Sequence, residues 1–237
     1  MLASNAFVQS DFLGKLIYVS LIALSMITWV LFFYKLWLSK KVESFAEQCE
    51  HLFKQNKRSP LNIDFQNRNY QTGIVNPFLS LYQLMQQGAM SLLKKNKELQ
   101  SRKSTQSTFL SSTDIEQLST QVEMKIYAEK KFYEKYLFVF STVFSLAPLL
   151  GLLGTVWGIS VTLSQLPKAG NALSNDAVLS GLSMALGTTV FGIVVAIPAL
   201  IFYNYFRSRT ENYTVRMNQF SSDLLHSVEI QYRAVDV

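Results

Sequence analysis

The sequence predicts an all-α integral membrane protein with three transmembrane helices and long cytoplasmic helical extensions. Charged residues make up only 16% of the chain and hydrophobic residues 49%, whereas soluble domains carry roughly 25% charged residues. The hydrophobicity is concentrated in three runs, each long enough to cross a ~30 Å hydrocarbon core as a helix. Most of the 22 Lys and Arg residues lie in the segments after the first and third runs, which sets the orientation in the membrane.

The first predicted span is residues 16–38, preceded by a short periplasmic N-terminus, residues 1–15. A cleaved signal peptide carries positive charge before its apolar stretch and a small-residue cleavage site after it. Here only Lys15 precedes the run, whereas Lys40 and Lys41 follow it. We therefore expect a permanent span that enters the membrane from the outside.

The Lys- and Arg-rich segment 39–136 is predicted to be a cytoplasmic helical domain. Its apolar residues recur at helical spacing, interrupted by a Ser/Thr/Gln-rich stretch at 99–113 that we expect to be mobile. Thr113 and Glu116 have the spacing of a helix-capping box. No Gly or Pro occurs between Thr113 and Pro148. One long helix is therefore predicted to run from the cytoplasm into the second span.

The second and third predicted spans are residues 137–164 and 178–206, and neither contains a charged residue. A short periplasmic loop, residues 165–177, joins them, and residues 207–237 form a cytoplasmic C-terminal helix. The net charge of +6 thus indicates topology in a lipid bilayer, and no nucleic-acid partner is predicted.

No enzyme constellation is present in the sequence. His51 and His226 are far apart, and no metal-ligand spacing, P-loop or nucleophile elbow occurs. We predict no catalytic residue, no metal site and no cofactor. Cys49 is the single cysteine, so in a reducing compartment it forms no structural disulfide.

Small residues recur at helical spacing in the second and third spans, which predicts close helix packing. The predicted packing residues are Gly151, Gly154, Gly158, Gly181 and Gly192. Pro148 and Pro198 are predicted to kink their helices. The pattern leaves two interpretations open. Either the small residues only hold the helices together, or the hydroxyls of Thr155 and Thr189 also line a polar passage. A Thr hydroxyl can instead bond to its own helix backbone.

A specific motif favours the second interpretation. The run Gly-Leu-Leu-Gly-Thr-Val-Trp-Gly-Ile at 151–159 is followed by Ala-Ile-Pro-Ala at 196–199 and by Tyr203-Asn204. Over about residues 145–206 the chain closely resembles the ExbB/TolQ family, which is related to the flagellar stator protein MotA. Thr155 and Thr189 match the two pore-facing threonines of that family.

The resemblance implies a homo-pentameric ring around a central pore in the bacterial inner membrane. Two single-span helices of the ExbD/TolR type would lie in that pore. Proton flow would drive rotation or a related motion, and energy would pass to a periplasm-spanning protein of the TonB/TolA type.

One position departs from the family pattern. Proton-powered members usually carry a Glu in the block Gly-Ile-Ala-Glu-Ala-Leu, and here Met184 stands at that Glu position. Asp176 is the only acidic residue between Glu134 and Glu211, so this chain supplies no intramembrane carboxylate, the usual group of a proton relay. The titrating group is then expected on the partner helix, hydrogen-bonded by the Thr hydroxyls.

Two other functions compete with an energy-transducing channel. A flagellar stator of the MotA type has four spans, so three spans argue against it. A structural membrane scaffold that does not conduct would also fit the missing Glu. The residues do not distinguish a Tol-type from a TonB-type system, or H⁺ from Na⁺.

Overall fold

The computed structural model describes residues 12–56, 61, 76–100, 109–165 and 175–232. Over these ranges the chain forms five α-helices. They are α1 (Phe12–Gln55), α2 (Pro77–Gln100), α3 (Ser112–Glu134), α4 (Leu137–Gln165) and α5 (Asn175–Tyr232).

Three of the described helical stretches are long and apolar enough to cross a bilayer. They lie in α1, in Ser112–Ser164, which contains α3 and α4, and in α5. An all-helical chain with three apolar helices is therefore confirmed. The limits of each span and the side on which each loop lies stay predictions.

The chain divides into two compact units. The apolar unit comprises Met1–Leu36 and Lys135–Ser208, and the polar unit comprises Trp37–Glu134 and Arg209–Val237. Helices α1 and α5 contribute residues to both units.

The apolar unit has a core of small and aliphatic side chains. Ile17 and Leu21 of α1 are buried against α4 and α5, and Ala147 and Ala199 are fully buried beside them. Toward Leu36, aromatic rings replace the small residues, and Phe32 stacks on Phe202 with ring centroids 4.0 Å apart. Leucine and valine side chains cover the exposed side of α4, as expected for a surface that faces lipid.

The polar unit encloses a conventional hydrophobic core. Phe220 is buried, and its ring packs edge-on against Phe53 and Phe78, at centroid distances of 5.5 Å and 5.6 Å. Cys49 is fully buried in the same cluster, and this burial raises the pKa of its thiol to about 11. The amide of Asn76 donates to the Cys49 sulfur at 3.4 Å.

Helix α2 begins with two recognisable signals. The side-chain oxygen of Asn76 accepts from the backbone N–H of Phe78 at 3.0 Å, as an N-cap residue does. Pro77 occupies the first helical position, where its missing N–H costs nothing.

Helices α1 and α5 are joined by polar contacts within the polar unit. The Arg209 guanidinium donates to Glu43 and, at 2.6 Å, to the Ser39 hydroxyl. Arg216 donates to Glu50 at 3.0 Å.

Tyr133 of α3 is buried in a neighbouring cluster with Leu38, Val42 and Tyr213. This burial is the main reason that the pKa of its phenol is raised.

The predicted single helix into the second span is interrupted. A turn at Lys135 and Tyr136 separates α3 from α4, and the backbone N–H of Val139 bonds to the Tyr136 carbonyl at 3.2 Å. The turn falls where a charged stretch meets an apolar one. No Gly or Pro accounts for it.

The predicted capping box at Thr113 and Glu116 was placed two residues too late. The Ser111 hydroxyl accepts from the N–H of Thr113, and the Asp114 carboxylate accepts from the N–H of Ser111. Leu110, immediately before, is buried and its N–H bonds to the Tyr232 carbonyl. This bond fixes where the chain turns into α3. Residues 101–108 of the stretch predicted to be mobile, and most of 1–15 and 165–177, lie outside the described residues.

Candidate functional site

The contact between α4 and α5 depends on glycines that let two backbones approach closely. A methyl group added at Gly151 would lie 2.9 Å from both the carbonyl oxygen of Thr188 and the Cα of Thr189. Both are backbone atoms, which no rotamer change can move. The residue at this position must therefore lack a side chain if α4 and α5 are to keep this distance.

The same contact continues along both helices. A methyl at Gly158 would lie 2.8 Å from the Ala185 Cβ, and one at Gly192 would lie 2.5 Å from the Ala147 carbonyl oxygen. Both distances are shorter than nonbonded atoms adopt. Close approach of this kind is typical of helices that pack in lipid. Because lipid tails are as apolar as the side chains, burying an apolar side chain between helices there gives no hydrophobic stabilisation.

The two remaining glycines lie against threonines. Gly154 faces the side chain of Thr188, and Gly181 faces the side chain of Thr162. All five glycines predicted to pack thus lie on the α4–α5 contact in this structure.

Thr188 is a residue that the sequence interpretation did not single out from its neighbour. It is only 3% exposed. Its hydroxyl lies 2.7 Å from the Ala185 carbonyl on its own helix and 3.1 Å from the Gly151 carbonyl on α4. The spacing of small residues in α5 fits either Thr188 or Thr189, and the close approach of Gly154 to the Thr188 side chain identifies Thr188 as the buried one.

Thr155 and Thr189 are both half-buried at the edge of this contact. The Thr189 hydroxyl donates to the Gly151 carbonyl at 3.0 Å, across the two helices. The Thr155 hydroxyl donates to the Leu152 carbonyl, one turn earlier on its own helix, at 2.7 Å. The two predicted ion-path hydroxyls are therefore anchored on consecutive carbonyls of α4. We call Thr155 and Thr189 the hydroxyl pair.

The surroundings of the hydroxyl pair contain few titratable groups. Helix α4 has none from Leu137 to Gln165, and α5 has none between Asp176 and Tyr203. On α1, the Tyr18 ring is 5% exposed and its hydroxyl lies against Gly187. A charge placed beside the pair would thus lie in an apolar environment.

The other predicted site residues are placed as follows. Met184 lies in α5, and its side chain is outside the described residues. Pro148 and Pro198 lie inside α4 and α5, where each removes one backbone donor. The kinks assigned to them stay predictions.

Comparison with known proteins gives a match over this region. The profile of the MotA/TolQ/ExbB proton channel family matches residues 84–219, which include all of α3 and α4 and most of α5.

Individual relatives agree with that match. The chain is 34% identical over 140 residues to the biopolymer transport protein ExbB-like 3 of Synechocystis sp., covering 58% of this chain and 67% of the relative. It is 26% identical over 219 residues to the biopolymer transport protein ExbB of Salmonella typhimurium, covering 92% of this chain and 82% of the relative. The match to the biopolymer transport protein ExbB of Xanthomonas campestris is 40% identical over 84 residues, covering 35% of this chain and 33% of the relative.

Proposed function

Because the chain belongs to the MotA/TolQ/ExbB proton channel family and is thus a membrane protein of the channel and transport class, we propose that it is the ring-forming subunit of an ExbB–ExbD or TolQ–TolR type complex. This complex couples the proton motive force to work by a TonB- or TolA-like protein in the periplasm.

The hydroxyl pair is the observation that supports this function best. Thr155 and Thr189 put two half-buried hydroxyls at the edge of a helix contact in which the described residues carry no charge. No carboxylate occurs in the sequence between Asp176 and Glu211. The titrating acid is therefore assigned to an ExbD/TolR-like single-span subunit in the central pore, with Met184 as an apolar neighbour of the path.

Assembly and orientation follow from the same premise. Five copies surround the pore in the bacterial inner membrane, with the N-terminus in the periplasm. Residues 39–136 and 207–237 lie in the cytoplasm, where their Lys and Arg residues place them. The apolar side chains exposed along α4 and α5 support contact with lipid and with neighbouring copies.

The test is proton flux into vesicles that contain the chain together with its single-span partner. Thr155→Val and Thr189→Val keep the side-chain shape and remove the hydroxyl. Each should abolish most of the flux while leaving the ring intact by size-exclusion chromatography. The matched control is Thr142→Val, which removes a similar hydroxyl, bonded to the Phe138 carbonyl at 2.9 Å on the same helix.

Unchanged flux in both pair variants would rule out this path and would leave a structural scaffold or a different conduction route. A loss of flux in Thr142→Val as well would show that any lost hydroxyl on α4 disturbs the ring.

A further inference from the structure

Both hydroxyls of the hydroxyl pair donate their protons to backbone carbonyls of α4. A carbonyl oxygen carries no proton, so in each of these two bonds the Thr hydroxyl is the donor. Thr155 donates to Leu152 at 2.7 Å and Thr189 to Gly151 at 3.0 Å. The buried Thr188 beside them also donates to a carbonyl. In this arrangement the described hydroxyls of the site present lone pairs to a ligand.

Lone pairs select the protonation state of whatever binds there. An ionised carboxylate is only an acceptor, whereas a protonated carboxylic acid has an O–H to donate. A carboxylate facing this pair would gain no hydrogen bond from it and would lose hydration. A protonated acid could donate to either Thr oxygen.

We propose that the hydroxyl pair binds a proton-bearing group and so holds the acid of the single-span partner in its neutral form. This rests on the proposed function, since it needs that acid to reach the pair. It reverses the role expected from sequence, in which the hydroxyls would donate to an ionised carboxylate. Thr155 and Thr189 then favour the loaded state of the proton carrier, and release requires either movement of the acid away from the pair or rotation of a Thr hydroxyl.

The charged and titratable groups on the packed helices are few. Helix α1 places the Tyr18 hydroxyl against Gly187. Within the apolar unit it also carries Lys15, which is exposed, and Lys35, which is buried seventeen residues beyond Tyr18. Helix α5 contributes Asp176, eight residues before Met184, and α4 contributes none. Burial alone also raises the pKa of an acid, so the test must separate burial from hydrogen bonding.

The direction in which the Thr→Val variants shift the pKa of the partner's acid distinguishes hydrogen bonding from burial. If the pair accepts from the neutral acid, removing a hydroxyl destabilises the neutral form and lowers the acid's pKa. If the pair donates to the carboxylate, the same change raises that pKa. If only burial matters, the more apolar Val leaves the pKa unchanged or raises it.

The measurement is modification of the partner's carboxyl by dicyclohexylcarbodiimide, which reacts with protonated acids in apolar sites. The purified complex is labelled from pH 5 to pH 9, and the modified partner is quantified by intact-protein mass spectrometry. We expect a wild-type midpoint well above the ~3.9 of a free Asp. Thr155→Val and Thr189→Val should each lower it by about one pH unit, roughly tenfold in the protonation equilibrium.

Two controls accompany these variants. Thr155→Ser keeps a hydroxyl and should keep the wild-type midpoint, and Thr142→Val should leave it unchanged. A midpoint that rises or stays fixed in both pair variants overturns the inference, even where the vesicles show proton flux, and leaves the proposed function standing. Absence of both flux and carboxyl labelling at every pH overturns the two together.

Discussion

The two units of this chain hold their helices together by different means. In the apolar unit, α4 and α5 meet through glycines at 151, 154, 158, 181 and 192 and through Thr hydroxyls that bond to carbonyls. In the polar unit, α1, α2, α3 and α5 enclose aromatic and aliphatic side chains, and two Arg–Glu pairs join α1 to α5.

The difference follows from the solvent of each unit. Burying a Phe out of water stabilises a fold, so the polar unit gains from large core side chains. Lipid is as apolar as Leu, so large side chains gain no such energy there, and close backbone contact takes their place. Adding atoms should therefore damage the apolar unit, whereas removing atoms should damage the polar unit.

The largest effect is expected from truncation in the polar core. Phe220 is 3% exposed and contacts Phe53 and Phe78, so Phe220→Ala should cost about 3–5 kcal/mol. The single cysteine, Cys49, lies fully buried in the same cluster and reports opening of that core. In Phe220→Ala, the rate at which Cys49 is alkylated in the folded protein at fixed pH should be about a hundredfold or more above the wild-type rate.

Met124→Ala is the matched control, because Met124 is a polar-unit side chain that is 61% exposed. It should leave the alkylation rate of Cys49 near wild type. Equal rates in Phe220→Ala and Met124→Ala would contradict the assignment of this cluster as the core of the polar unit.

In the apolar unit, adding a single methyl group tests the close packing of α4 against α5. Gly151→Ala places a methyl 2.9 Å from two backbone atoms of α5, and overpacking of this kind costs about 1–3 kcal/mol. Gly187→Ala is the control, because its methyl would meet only the Tyr18 hydroxyl, at an ordinary 3.4 Å. The thermal unfolding midpoint in detergent should fall for Gly151→Ala alone. Equal midpoints for the two variants would show that α4 and α5 separate at little cost.

The part of this architecture that can be predicted from sequence is the part that composition determines. A run of twenty apolar residues has no other stable conformation in lipid than a helix, so the three apolar helices were predictable. The motif around Thr155 was specific enough to identify the family, which the profile match to residues 84–219 confirms.

The remainder depends on contacts between distant residues, which spacing alone does not supply. Local bonds of Ser111 and Asp114 cap α3, but the bond that holds the preceding Leu110 is to the Tyr232 carbonyl, more than a hundred positions away. The turn at Lys135 has no local signal. Which of Thr188 and Thr189 is buried depends on the rotation of α5 against Gly154, and only the three-dimensional packing shows it.

The smallest effect is expected from a charge pair of the polar unit. Two guanidinium nitrogens of Arg216 lie 3.0 Å from one Glu50 oxygen, with side chains 27% and 28% exposed. Such pairs contribute about 0.2–1 kcal/mol. A double-mutant cycle of Arg216→Gln and Glu50→Gln, read by Cys49 alkylation, should give a coupling of roughly twofold in rate.

The dependence on salt and pH completes that test. The hydrogen bond to Glu50 raises the pKa of Arg216 above its ordinary, already high value, so the Arg216 side of the pair contributes fully at neutral and moderately alkaline pH and is lost only in strong alkali. The coupling should therefore be equal at pH 7 and pH 9, and it should shrink in 1 M salt because partly exposed charges are screened. The control is Lys54→Gln, which removes an exposed charge from α1, the helix that carries Glu50. It should show no coupling with Arg216→Gln. A coupling for Arg216 and Glu50 as large as the effect of Phe220→Ala would reverse the comparison, since charges would then stabilise the polar unit as strongly as its aromatic core.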